Sequence, residues 1–254
     1  MKKVLHQILA AITFFTRIPL WKIIEIPAES FQKIILFWPL TAWITGGITG
    51  LSWLALSQLF PPTLSIILAL AIKTLLTGAL HEDGLGDFFD GFGGGKTKAD
   101  VLRIMKDSHI GSYALVGLIF YYLILINTLL IIPTPLTPVV IFVADPLSKM
   151  LSALMMNNLP YARLVEDSKA KTAFEKLNII KTVLLLIFGL LPICLLINPT
   201  LWLATILPII TLLYIYRISK KTIGGYTGDV CGATALLCEL SFYVGLILVL
   251  KLLP

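Results

Sequence analysis

The stretch Leu64–Gly95, reading LSIILALAIKTLLTGAL and then HEDGLGDFFDGFGGG, joins an apolar run of membrane-crossing length to Glu82, Asp83, Asp87 and Asp90, four of the fourteen acidic residues in the chain. The apolar half decides the fold class. A bilayer core about 30 Å thick is crossed by roughly 20 mostly apolar residues in a helix. Runs of that kind recur at 36–56, 64–82, 112–132, 138–158, 179–197, 200–216 and 232–252, predicting about seven transmembrane helices. The chain is 57% hydrophobic and 13% charged, with a mean hydropathy of +0.93, whereas soluble domains carry about 25% charged residues. These numbers exclude a soluble globular protein and predict an all-α, polytopic membrane bundle. With no internal repeat and no long linker, residues 1–254 read as a single transmembrane domain.

Lys2 and Lys3 precede VLHQILAAITFF, but no small-residue cleavage site follows, so the segment is expected to stay in the mature protein. It is expected to lie as an interfacial or re-entrant helix with Arg17, Trp21 and Lys22 at headgroup level. Cys194, Cys231 and Cys238 lack metal-ligand spacing and read as reduced thiols.

The connections alternate in charge. SQLFPPT (57–63), IPTPLT (132–137) and INPT (197–200) carry none, while Lys96, Lys98, Arg103, Lys106, Arg163, Lys169, Lys171, Lys176, Arg217, Lys220 and Lys221 fall in the others. By the positive-inside rule the cationic connections and the N-terminus face the cytoplasm, with Lys251 the exception. The net charge of +6 is then a matter of topology and anionic lipid, and no nucleic-acid partner is implied. The acidic motif, the Asp107 segment and GGYTGDVCGA (224–233) are all expected on that one face.

If the second crossing continues as a helix through the motif, Asp83, Asp87 and Asp90 lie within an arc of about 60°. Like charges so crowded at a membrane boundary are costly unless a cation joins them. An all-oxygen set favours Mg²⁺ or Mn²⁺. The following glycines, Gly91 and Gly93–Gly95, read as a tight bare backbone suited, with Lys96 and Lys98, to phosphate oxygens. Metal and phosphate together point to phosphoryl transfer. Asp145 and Lys149 stand i, i+4 in the fourth crossing, and Lys73 and Glu239 lie inside others. These four either line a cavity or neutralise one another and fix the bundle. Gly46, Gly47 and Gly50 read as close-packing positions.

HEDGLGDFFDGFGGG with LRIMKDSHIGSY (102–113), FFTRIP (14–19), LPYAR (159–163) and GGYTGDVCGA, in this order and over nearly the whole chain, resembles the adenosylcobinamide-GDP ribazoletransferase (cobalamin synthase) family. The resemblance implies attack by the 3′-hydroxyl of α-ribazole, or of its 5′-phosphate, on the cobinamide-side phosphorus of adenosylcobinamide-GDP, with GMP released. It also implies Mg²⁺ dependence and the cell inner membrane. It makes Asp83, Asp87, Asp90 and Asp107 the candidate catalytic residues, and Glu82, Asp83, Asp87, Asp90 and Asp229 the candidate metal ligands. Arg17, Gly93, Gly94, Lys96, Lys106, Ser108, Arg163 and Thr227 are the candidate substrate contacts, with His81 orienting a carboxylate or supporting a helix end. Gly86 stands where the family usually has Ala, His109 where it has Arg and Lys149 where it has Arg. DFFDG (87–91) also echoes the half-motif of CDP-alcohol phosphotransferases, so a phospholipid synthase is one alternative and a cation transporter is another. The transporter reading sits poorly with acids at the membrane edge and no repeated halves.

Overall fold

The computed structural model describes residues 2–163 and 174–252, so Lys169 and Lys171 lie outside the described residues. Ten α-helices occur among them: α1 (Lys2–Phe15), α2 (Trp38–Leu56), α3 (Pro62–Thr77), α4 (Leu80–Gly94), α5 (Lys98–Ile104), α6 (Ser112–Ile131), α7 (Thr137–Asn158), α8 (Ile179–Leu190), α9 (Ile206–Thr222) and α10 (Gly228–Leu252). Among the described residues five helical segments, six if α3 and α4 are taken as one bent span, are long and apolar enough to cross a membrane, fewer than the seven expected: Ala28–Leu56, Ser112–Ile131, Thr137–Asn158, Pro199–Thr222 and Gly228–Leu252. Ile179–Leu195 is apolar but shorter. The polytopic helical bundle expected from hydropathy is therefore present, with α7 and α10 buried at its centre and α6 and α9 presenting apolar faces outward.

The second crossing departs from expectation. It does not run on through the acidic motif: α3 ends at Thr77, α4 begins at Leu80, and the two helices are bent by 91°. Gly78 (φ 68°) and Ala79 (φ 57°) are both left-handed. The Ala79 amide donates to Thr74 O (2.9 Å) and the Gly78 amide to Leu75 O (3.3 Å), the paired bonds by which a left-handed glycine closes a helix end. The Arg17 amide takes the next carbonyl, Leu76 O, at 2.7 Å. A Cβ on Gly78 would stand 2.8 Å from Arg17 Cδ. The segment following α1 thus clamps the break. Gly78→Val, with a branched side chain forced into a left-handed backbone, is expected to destabilise by about 2 kcal/mol; a melting temperature equal to wild type by tryptophan fluorescence would refute this clamp.

Small residues bring backbones together where the sequence suggested. On α2, a Cβ at Gly46 would lie 3.0 Å from Asp145 Cβ, and one at Gly50 would lie 2.9 Å from Pro138 O, so α2 and α7 pack in direct contact. Gly84 of α4 faces the Asp229 backbone, 3.0 Å from its added Cβ, and Gly232 of α10 faces His81 O at 3.2 Å. These reciprocal glycines press the acidic helix against the start of α10.

Between these helices the intramembrane charges close on one another. Lys73 Nζ lies 2.5 Å from Glu239 Oε1 and 3.1 Å from Asp145 Oδ1. Lys149 pairs with Asp145 and lies 3.3 Å from Glu239 Oε2. Thr45 donates to Asp145, and Tyr243 OH donates to Glu239 Oε1 at 3.0 Å. All four charged side chains are buried. Of the two readings open from sequence, mutual neutralisation is the one observed.

Candidate active site

Two loops distant in sequence build one end of the bundle. The Ala162 amide donates to Tyr226 O (2.8 Å) and the Tyr226 amide to Pro160 O (2.9 Å), forming a short parallel bridge between Tyr161 and Tyr226. Gly224 (φ 74°) supplies the turn that lets the second loop reach α10. Thr227 Oγ1 accepts the Val230 amide at 3.2 Å and caps α10, while donating to Asp229 Oδ2 at 3.3 Å. Arg163 Nη2 lies 3.2 Å from the same oxygen and donates to Leu102 O at 3.4 Å. The Arg163 and Asp229 side chains are each 6% exposed. Arg163 Nε has no hydrogen-bond partner among the described residues.

Over this pair opens a cleft of about 780 Å³, its mouth included. Phe14 and Phe15 contribute one wall, and Trp38 stacks on Phe15 at 4.6 Å between ring centroids. Tyr161 and Tyr226, edge to face at 5.3 Å, contribute another. Burial pushes the Tyr226 phenol up, so it stays a neutral hydroxyl. Asp83, Arg163, Gly228 and Asp229 also line the cleft. FFTRIP, the acidic motif, LPYAR and GGYTGDVCGA therefore meet at one place, whereas the Asp107 segment contributes no residue to the cleft.

The acidic residues of α4 have different neighbours. Asp83 is exposed on the cleft wall, and Asp87, one turn on, is half-buried. Asp90 is buried and turned to α6, where Oδ2 accepts the Gly111 amide (2.7 Å) and Oδ1 accepts the Ala114 amide (2.9 Å). It closes the open N-terminus of α6 with favourable charge. A Cβ on Gly111 would meet that carboxylate at 2.5 Å, which explains the glycine. Asp90→Asn places an amide NH₂ against a backbone N–H and is expected to destabilise by about 1–3 kcal/mol. A lower melting temperature in Asp90→Asn, with none in Asp83→Asn, is the expected contrast; equal melting of the two variants would contradict it.

Glu82 faces α3, accepting from Thr74 Oγ1 at 3.1 Å, and its Oε2 has no hydrogen-bond partner among the described residues. Among the described residues, no three His, Cys, Asp or Glu side chains gather around one point. An all-protein metal cage is thus not formed by the acids proposed for it. Mg²⁺ is more often held by one or two carboxylates together with substrate phosphates, and Asp83 with Asp87 fits that donor set.

The glycine-rich tail is corrected by the structure. Gly91, Gly93 and Gly94 do not form a bare turn but continue α4 to Gly94. At two of them the missing side chain makes room: an added Cβ would lie 2.6 Å from Met105 Cγ at Gly91 and 2.6 Å from the Tyr113 ring at Gly93, whereas at Gly94 it would make an ordinary contact 3.6 Å from Ile104 Cδ1. The reason for expecting a phosphate cradle at Gly93 and Gly94 is thereby removed. Lys96, Lys106 and Ser108 are exposed beyond this helix and, among the described residues, do not line the cleft. Asp107 accepts the His109 amide (3.0 Å) and meets the ring Nδ1 (2.7 Å), contacts that hold its carboxyl below the usual range. Arg17 is exposed and lays its aliphatic stem over Gly78. His81 is buried 5.7 Å from Trp38 and 6.4 Å from Phe15 between ring centroids, and also lines the cleft.

The cleft's aromatic walls were not singled out from sequence. Phe14, Phe15, Tyr161 and Tyr226 belong to the quoted motifs but have no role assigned from sequence, and Trp38 and Phe174 belong to none. Only the long-range pairing of the loops reveals them.

No solved structure matches the chain. A protein of Shewanella putrefaciens named adenosylcobinamide-GDP ribazoletransferase is 36% identical over 252 residues, covering 97% of this chain and 95% of its own length. A protein of Shewanella oneidensis with the same name is 36% identical over 245 residues, covering 94% and 92%. The family model described as cobalamin-5-phosphate synthase matches residues 7–247. With four of the five quoted segments assembled around one cleft and the family model covering nearly the whole chain, the chain belongs to the cobalamin-5-phosphate synthase family.

Proposed function

We propose that this protein joins α-ribazole, or α-ribazole 5′-phosphate, to adenosylcobinamide-GDP and releases GMP. The observation that carries the reading is the meeting of four family segments at a cleft that holds one exposed carboxylate, Asp83, beside the buried Arg163–Asp229 pair. Relatives covering nearly the whole chain bear the name of that transferase.

In the reaction the ribose 3′-hydroxyl oxygen bonds to the cobinamide-side phosphorus as the bond from that phosphorus to the GMP oxygen breaks. The hydroxyl proton passes to a carboxylate, and GMP departs with the electron pair. Asp83 is the residue best sited to take the proton, because it is exposed to the cleft and lies on a rigid helix. Arg163 and the N-terminus of α10 supply positive potential toward the diphosphate. Asp83 and Asp87 would hold Mg²⁺, which would supply neutralisation of the charge that builds on the leaving group. The cationic connections support a cytoplasmic site in a cell inner membrane.

The test is GMP release by purified protein given both substrates, with Mg²⁺ or with EDTA. Equimolar GMP and cobalamin product, lost in EDTA and restored by Mg²⁺, is expected. Release of CMP from a CDP-alcohol with a lipid acceptor, and no GMP, would favour the phospholipid synthase instead.

A further inference from the structure

The cleft is lined mostly by apolar groups. Phe14 and Phe15 backed by Trp38, with Tyr161, Tyr226 and Phe174, the last edge to face against Phe14 at 6.0 Å, give it aromatic surface. Asp83, His81 and the Arg163–Asp229 pair are the charged or titratable groups among them. An aromatic slot beside a small polar set matches a nucleoside, with a flat base for the slot and sugar hydroxyls for the polar groups.

Both proposed substrates contain a nucleoside, and the slot's chemistry separates them. Guanine carries hydrogen-bonding groups around its edge, and each one buried without a partner is penalised. A mostly apolar lining supplies few partners, and Arg163 Nη2 is already engaged with Asp229 Oδ2 at 3.2 Å. The dimethylbenzimidazole of ribazole has methyl groups and a single bare ring nitrogen, and loses little on leaving water. We infer that this slot is the acceptor subsite, holding the base of ribazole by stacking and directing its ribose toward Asp83. The guanosine of the donor then lies outside the slot. The inference rests on the transfer reaction proposed above.

Stacking on an aromatic side chain contributes enough that its removal weakens binding by about tenfold. The experiment compares wild type with Phe14→Leu and Tyr161→Leu, which keep apolar bulk and lose the ring face. It measures KM for α-ribazole, KM for adenosylcobinamide-GDP, and the inhibition constants of free 5,6-dimethylbenzimidazole and of GMP. In at least one variant that retains its melting temperature, KM for ribazole and the inhibition constant of the free base are expected to rise about tenfold. The two constants for the guanine-bearing ligands should stay within about twofold of wild type, well under one stacking contact. A rise confined to the guanine-bearing ligands, a rise in all four constants alike, or no rise in either variant would overturn the inference. If neither variant keeps its fold, Phe174→Leu is read by the same criteria. Wild type that releases no GMP from the substrate pair refutes the proposed reaction itself, whereas active enzyme without this selectivity refutes only the subsite.

Discussion

Asp83→Asn is expected to lower the rate of GMP release by at least about a hundredfold, the lower bound for losing a positioned general base, while the protein inserts and melts like wild type. The side chain is exposed on the cleft wall, so the substitution removes negative charge without emptying a packed site. An amide cannot take the hydroxyl proton and is a poor ligand for a hard cation, so both proposed tasks of Asp83 fail together. Asp87→Asn provides the comparison. It removes a proposed cation ligand one turn away, and should raise the Mg²⁺ concentration needed for half-maximal rate. Near wild-type turnover by Asp83→Asn would remove the carboxylate from the chemistry.

Lys149→Met is expected to destabilise the protein by about 3–5 kcal/mol, because truncating one member of a buried ion network strands its partners. That is a large share of the roughly 5–15 kcal/mol that separates folded from unfolded states. Lys149 is buried at 2% exposure, facing Asp145 and Glu239, with Lys73 as the other cation. Its loss leaves two carboxylates and one ammonium in an apolar interior, where ionisable groups persist only when paired. Adding Asp145→Asn should recover much of the loss, since Lys73 and Glu239 remain paired at 2.5 Å. The readouts are the yield of monodisperse protein and its melting temperature. A Lys149→Met protein as stable as wild type would show that the network does not hold the bundle.

Hydropathy disclosed the class of fold because the bilayer imposes length and apolarity on any helix that crosses it. It did not disclose the break at Gly78 and Ala79. Two small residues inside an apolar run look the same to a window average whether they are helical or left-handed, and only the Arg17 amide on Leu76 O, together with the bonds to Thr74 and Leu75, shows why the chain turns there. The spacing of Asp83, Asp87 and Asp90 correctly indicated one helical face, yet helical phase does not say what lies opposite. Asp90 meets the first amides of α6, while Asp83 meets the cleft. The glycines after Asp90 misled for a related reason. Glycine marks either a turn or a close approach, and Met105 and Tyr113, which fill the space beside Gly91 and Gly93, lie in a later segment. Arg163 and Asp229 were each named from motifs, but their pairing depends on the bridge between Tyr161 and Tyr226.

The most direct measurement is a cryo-electron microscopy map of the wild-type protein in lipid nanodiscs with adenosylcobinamide-GDP and Mg²⁺ but no α-ribazole, a combination that lacks the acceptor and so stops before transfer. The diphosphate should lie at the cleft mouth, within reach of Asp83 and Asp87, with its guanosine outside the aromatic slot. Diphosphate density at the opposite end of the bundle, or beside the Lys73–Glu239 network, would contradict the account.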